Sequence, residues 1–164
     1  MKALLYVLPL LLFSPPLLAQ DAPPPEVEGN LYYQAIVAGL EERKKYALKP
    51  YMNEPPGHIV VYKNPFLVDD GWPTRIGGVK VEYLTDDELR ARLQARGGED
   101  GIPVYVLNPM TNEGDRLVIR LLRADFHVYG GRGSFGIGGG YSIRFRYDCE
   151  RQRFVAETAT LPGI

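Results

Sequence analysis

The sequence predicts an α+β domain: an N-terminal helix, short strands, a second, capped helix, and then a C-terminal antiparallel meander of four strands. Three observations carry that expectation. Apolar residues recur at four-residue steps over Tyr32, Ile36 and Leu40, the period of one helix face. Thr85-Asp86-Asp87-Glu88 is a capping box, a local signature of a helix start. Beyond Gly98 the chain alternates apolar and polar side chains in segments joined by short turns. Strands gathered in this way predict an antiparallel sheet with helices on one face.

The elements follow in order. Residues Met1 to Ala19 have the layout of a secretory signal peptide, with Lys2 as the positive start, Ala3 to Phe13 as the apolar stretch and Leu17-Leu18-Ala19 before the cut. Cleavage after Ala22 is disfavoured because Pro23 would follow the scissile bond. Pro9, Pro15 and Pro16 argue against a membrane-spanning helix in this stretch, which would need about 20 apolar residues. Residues 20–29, with Pro23-Pro24-Pro25, read as an extended spacer, and residues 30–164 as a single domain. A helix is expected from Leu31 to Leu48, with Asn30 as N-cap and Pro50 beyond its end. Arg43, Lys44, Lys45 and Lys49 complement the negative end of its dipole.

Ile59 to Tyr62 is a short β-branched run and predicts a strand. Lys63 to Gly78 is rich in turn residues, with Phe66-Leu67-Val68 as candidates for a few paired positions. Val79, Val81 and Tyr83 alternate with Lys80 and Glu82, as in a half-buried strand. The capped helix then runs from Asp86 to about Arg96, stapled by Leu84 and Leu89 and closed by Gly97-Gly98. Four strands complete the chain: Pro103 to Leu107, Arg116 to Tyr129, Tyr141 to Cys149, and Phe154 to about Thr160.

Alternation sorts the last strands into faces. Tyr141, Ile143, Phe145, Tyr147 and Cys149 share one face, and Ser142, Arg144, Arg146 and Asp148 the other. The preceding strand sets Ala124, Phe126 and Val128 against Arg123, Asp125 and His127. Its apolar phase moves at Leu117, Ile119 and Leu121, which predicts a bulge near Leu121 to Arg123. Pairing across a glycine-rich loop with Phe126 opposite Phe145 puts Asp125 opposite Arg146, Arg123 opposite Asp148 and His127 opposite Arg144. The register slipped by two would put Arg123 opposite Arg146. Opposite-charge pairs contribute about 0.2–1 kcal/mol each, so the first register is expected.

Composition narrows the function. Lys plus Arg number 19 against 20 for Asp plus Glu, a formal charge of −1 that lacks the basic excess of a nucleic-acid footprint. One cysteine permits no intrachain disulfide, so an exported domain of this size would stand on packing alone. No cofactor or metal is expected: His58 and His127 have no partner at ligand spacing, and Asp69-Asp70-Gly71 and Asn112-Glu113-Gly114-Asp115 lack the ligand ladder of a calcium loop. Gly131-Arg132-Gly133-Ser134-Phe135-Gly136 matches G-x-G-x-x-G, but a strand and not a helix follows, so it reads as a hairpin tip. His127 and Cys149 fall on opposite faces in the expected register, which argues against a Cys–His dyad and makes Cys149 a core residue. No catalytic residue is assigned. The candidate binding surface is the polar sheet face of Arg123, Asp125, His127, Arg144, Arg146 and Asp148; separately, 11 tyrosines, with Tyr32, Tyr33, Tyr46, Tyr51 and Tyr62 in the first half, are a second pointer to recognition.

Gly139-Gly140-Tyr141, then Phe145-Arg146-Tyr147-Asp148-Cys149-Glu150, Phe154-Val155 and the terminal Gly163-Ile164, resemble a group of small, uncharacterised exported bacterial proteins. The resemblance reaches back over Gly78-Val79-Lys80-Val81 and Leu84-Thr85, and implies no activity. The element order is also similar to the curved sheets of cystatin-type and nuclear-transport-factor-2-type folds. The expectation is thus an exported, periplasmic or extracellular, non-enzymatic module that binds an envelope protein or surface component, in an oligomeric state the sequence leaves open. The alternative is a small-ligand-binding or enzymatic domain whose pocket lies on the concave sheet face, lined by Tyr147, Phe145 and Tyr83.

Overall fold

The computed structural model describes residues 25–46, 57–98 and 100–160. The expected signal peptide, most of the spacer and the end of the first helix at Leu48 lie outside them. Within them the order is α1 (Pro25–Glu28), α2 (Leu31–Tyr46), β1 (His58–Tyr62), β2 (Arg75–Ile76), β3 (Val79–Leu84), α3 (Asp86–Ala95), β4 (Ile102–Leu107), β5 (Thr111–Glu113), β6 (Arg116–Tyr129), β7 (Arg132–Asp148) and β8 (Arg153–Thr160). Both expected helices form, and each begins where its cap was placed. Asn30 Oδ1 accepts from the N–H of Tyr32 at 2.9 Å and of Tyr33 at 3.3 Å. Thr85 and Glu88 satisfy each other's backbone donors in a complete capping box. The spacer is not extended throughout, because Pro25–Glu28 makes a helical turn.

The α+β class is borne out, but the sheet is mixed. One curled, open sheet runs β2-β3-β1-β4-β6-β7-β8, with β5 paired to β6. The four C-terminal strands β4, β6, β7 and β8 are neighbours and antiparallel, as expected. Strand β1, by contrast, lies parallel to both β3 and β4. Parallel neighbours require crossovers, and the chain supplies two: the loop of residues 63–78 from β1 to β3, and α3, which carries the chain over β1 to β4. Phe66-Leu67-Val68 adds no strand, since the N–H groups of Leu67 and Val68 bond the Asn64 carbonyl in a tight turn.

The helices cover opposite faces rather than one. Along β1, Ile59 and Val61 pack in the core under α2 with Ile36 and Leu40, whereas Val60 packs with Leu89 and Leu93 of α3. Along β6, Ile119 and Leu121 belong to the first core and Phe126 to the second. The moving apolar phase of that strand therefore records a change in which face is covered, and β4·β6 pairing runs unbroken from Ile102↔Phe126 to Leu107↔Leu121. The expected irregularity is present in the other ladder, between Arg123 and Ala124, where β7 contributes the extra residue, Gly138.

The expected β6·β7 register is overturned. Phe126 faces Phe135, not Phe145; Asp125 faces Gly136, His127 faces Ser134 and Arg123 faces Gly139. The cause is the turn. Gly130 and Gly131 both have positive φ, 55° and 77°, and form a two-residue hairpin between Tyr129 and Arg132. The G-x-G-x-x-G segment is thus strand and not hairpin tip, and β7 begins at Arg132.

Candidate functional site

The six residues of the expected binding surface are split between the two faces of the sheet. In the observed register Arg123, Asp125 and His127 lie on the α2 side, toward the β6·β7 turn, while Arg144, opposite Val118, lies on the other side, and the alternation of β7 places Arg146 and Asp148 with it. Arg146 Nε pairs with Glu157 at 2.7 Å, and Arg116 Nε meets the same carboxylate at 2.5 Å. Arg120 pairs with Glu113 at 2.9 Å, with Arg144 at 3.9 Å from its other oxygen. Asp148 caps the β7–β8 turn, its Oδ1 accepting from Glu150 N at 3.0 Å and Arg151 N at 3.1 Å. The Arg151 N–H in particular holds its carboxyl below the usual range. The expected pairs Asp125–Arg146 and Arg123–Asp148 do not form.

Cys149 is exposed, not a core residue, because β7 ends at Asp148 and the alternation no longer places side chains beyond it. His127, opposite Ser134, sits near the far end of β7 from Cys149. No group of three metal-ligating side chains occurs among the described residues. The concave-face pocket is also filled: Phe145 is 0% exposed under α2, and Tyr83 packs edge-on to Trp72 at 6.0 Å with its hydroxyl donating to the Pro73 carbonyl at 3.1 Å. Only Tyr147 of that trio borders open space.

That space is a groove between α2 and β8. Its larger hollow, of about 550 Å³, is bounded by Tyr33, Val37 and Ala38 on the helix and by Phe154, Val155 and Ala156 on the strand. A second hollow of about 360 Å³ continues it toward Leu31, Tyr147 and Gln152, and both share Glu28, Gln34, Arg153 and Phe154. From Gln152 to Ala156 the groove follows the strand for about 13 Å at the rise of an extended chain.

Local chemistry builds each wall. Gln34 Nε2 donates to the Glu28 carbonyl at 3.0 Å and ties α1 onto the first turns of α2. Val27 packs against the core below. Burial, with the Glu28 carboxylate adding to it, raises the Tyr33 phenol above its ordinary value, so its hydroxyl stays neutral. On the other wall, Gln152 adopts φ 50° to close the β7–β8 turn, and Phe154 stacks edge-on against Tyr147 at 5.3 Å. The lining is apolar, with Glu28, Gln34 and Arg153 as its polar members. Sequence reasoning named Tyr147 alone of these residues. The signal it lacked was the pair of alanines, Ala156 and Ala159, that follow Phe154 on the inner face of β8.

A third hollow, of about 450 Å³, lies at the start of α3 among Asp69, Asp70, Asp86 and Asp87. Two of its acids are engaged locally, Asp70 with Lys63 and Asp86 with Arg90. No helix among the described residues is long and apolar enough to cross a membrane. No family model, curated protein or solved structure matches the chain.

Proposed function

We propose that the chain is an exported, non-enzymatic binding domain of the cell envelope, and that it takes its partner in the groove between α2 and β8. One observation carries this reading: a furrow lined by Val37, Ala38, Phe154 and Ala156 stays open to solvent beside the core under α2. Export rests on the leader-like residues 1–19. The Arg–Glu network on the far face is the weaker candidate, because its carboxylates already engage its guanidiniums.

A small ligand in the same groove is the second reading, favoured by a volume inside the usual range of ligand pockets, about 300–1,000 Å³. Site-specific photo-cross-linking in the producing cell tests the site. A photoreactive residue at Ala156 or Gln34 should give a discrete macromolecular adduct, and one at Arg120 on the opposite face should not. Equal yields at all three positions, or none at Ala156 and Gln34, would overturn the assignment.

A further inference from the structure

We infer that the occupant of the groove is an extended polypeptide segment that adds as a further strand to the free edge of β8, an inference that rests on the binding role proposed above. Strand β8 ends the sheet, and among the described residues no strand pairs with its outer edge. Eight residues from Arg153 to Thr160 present that edge, and in an antiparallel strand alternate residues point their N–H and C=O groups away from the existing neighbour. Unpaired edges of this kind are templates for another chain. Lys and Pro, two of the residues that blunt natural edges, are absent between Arg153 and Thr160; the charges there are Arg153 at the start and Glu157, and the irregularity opposite Arg144/Phe145 falls in the second half of the strand. The first half, Arg153 to Ala156, pairs regularly with β7 and is the part that borders the groove.

The two features meet the two requirements of strand addition. The edge supplies main-chain donors and acceptors, which bind any extended chain. The groove lies beside that edge on the α2 side of the sheet, the side that receives every second side chain of an added strand. Val37, Ala38, Phe154 and Ala156 would select an apolar side chain there, and Arg153 and Glu28, at the shared centre of the two hollows, would favour a polar or zwitterionic neighbour. The groove is long and open, following β8 over about 13 Å, a shape that suits a chain better than a compact molecule.

A second copy of this domain is the competing occupant, and the shape disfavours it. Two-fold pairing of β8 with its equivalent is isologous, so the strand laid along the groove would be another β8, whose residues on the α2 side beyond Phe154 are the small Ala156 and Ala159. A separate strand with protruding apolar side chains fills the hollow.

The test uses linear peptides enriched from a displayed library on the chain of residues 20–164, measured in solution by fluorescence anisotropy. Two N-methylated versions of the best peptide block alternate sets of backbone donors. One set should weaken binding by about tenfold or more, and the other, pointing away from β8, should leave it nearly unchanged. Ala156→Arg, at an exposed position, should abolish binding while leaving the circular dichroism spectrum unaltered. If both methylated sets bind as well as the parent and Ala156→Arg still abolishes binding, strand addition is wrong while the groove reading stands. If peptides bind and Ala156→Arg has no effect, both fail. If no peptide is enriched and the chain sediments as a dimer, the occupant is a second copy and the inference is overturned.

Discussion

The glycine run of β7 offers a sharp test of the register, because three consecutive glycines are expected to respond differently to the same methyl group. Gly138 is the extra residue of the bulge, and a Cβ built there meets nothing within 4 Å. Gly139 also has open space but holds φ at 137°. Gly140 combines φ 153° with a Cβ position 2.5 Å from the Leu121 carbonyl oxygen and 2.7 Å from Leu122 Cα. Those neighbours are backbone and cannot swing aside. Backbone angles of this kind cost side-chain-bearing residues about 1–3 kcal/mol. Gly139→Ala should therefore lose about 1–3 kcal/mol. Gly140→Ala adds a backbone overlap to that strain and should lose about 3 kcal/mol or more. Gly138→Ala should be neutral or gain about 0.4–1 kcal/mol by restricting the unfolded chain. Against a typical total of about 5–15 kcal/mol, the Gly140 loss would move a urea midpoint by about 1–3 M. Equilibrium urea unfolding of the three variants reads this order directly. Equal midpoints for Gly138→Ala and Gly140→Ala would mean that the segment is a loop, and the observed register would be wrong.

Two further outcomes follow from the charges and the thiol. Glu82 is held at about 2, first by the hydrogen bond from Lys80 and then by that from Arg92, at 2.7 and 2.6 Å. Its folded value is lowered, so the stability it contributes is present above the unfolded value of 4.5 and drains away as pH falls toward 2. Because solvent screens part of the interaction, the loss over that window should be about 1–2 kcal/mol, and Glu82→Gln should flatten the thermal-melting profile there; an unchanged acid limb would remove Glu82 from the account. Cys149, being exposed, should react fully with a thiol-specific chromogenic reagent in the native state, and a reaction that needed denaturant would return it to the core.

How far the fold can be read from the sequence depends on which forces are local. Both helix starts rest on side chains within three residues of their backbone partners, Asn30 with Tyr32 and Tyr33, Thr85 with Glu88, and these are legible letter by letter. Where alternation is regular the strand span is legible, with Arg116–Tyr129 matching to the residue, whereas β7 begins at Arg132 and not at Tyr141, because glycines carry no alternation. Register is not local. Cross-strand charge pairs are worth only about 0.2–1 kcal/mol each, and the determining terms are larger: the Gly130-Gly131 turn and the burial of Phe126 against Phe135, whose rings lie 5.4 Å apart. The Gly-Gly dipeptide between Tyr129 and Arg132 is itself a hairpin signal, and it was obscured by the glycines that follow it.

The groove is hidden for a related reason. It exists because a helix from the start of the domain and a strand from its end meet across a curled sheet, a contact between residues more than a hundred positions apart. Its depth, however, is written in side-chain size. On the α2 side, β8 carries Ala156 opposite Phe145 and Ala159 opposite Ile143, while β7 fills the same face with Ile143 and Phe145. A leucine-sized side chain at position 156 would reach Val37 and Ala38 and bury apolar area worth about 1.5–3 kcal/mol. The sheet closes over α2 with large residues from Val81 through Phe145, and in its last strand only Phe154 continues them before Ala156 and Ala159. Stability would be served by continuing that pattern. An alanine edge beside an unpaired backbone is what a domain needs if another chain is to complete the layer.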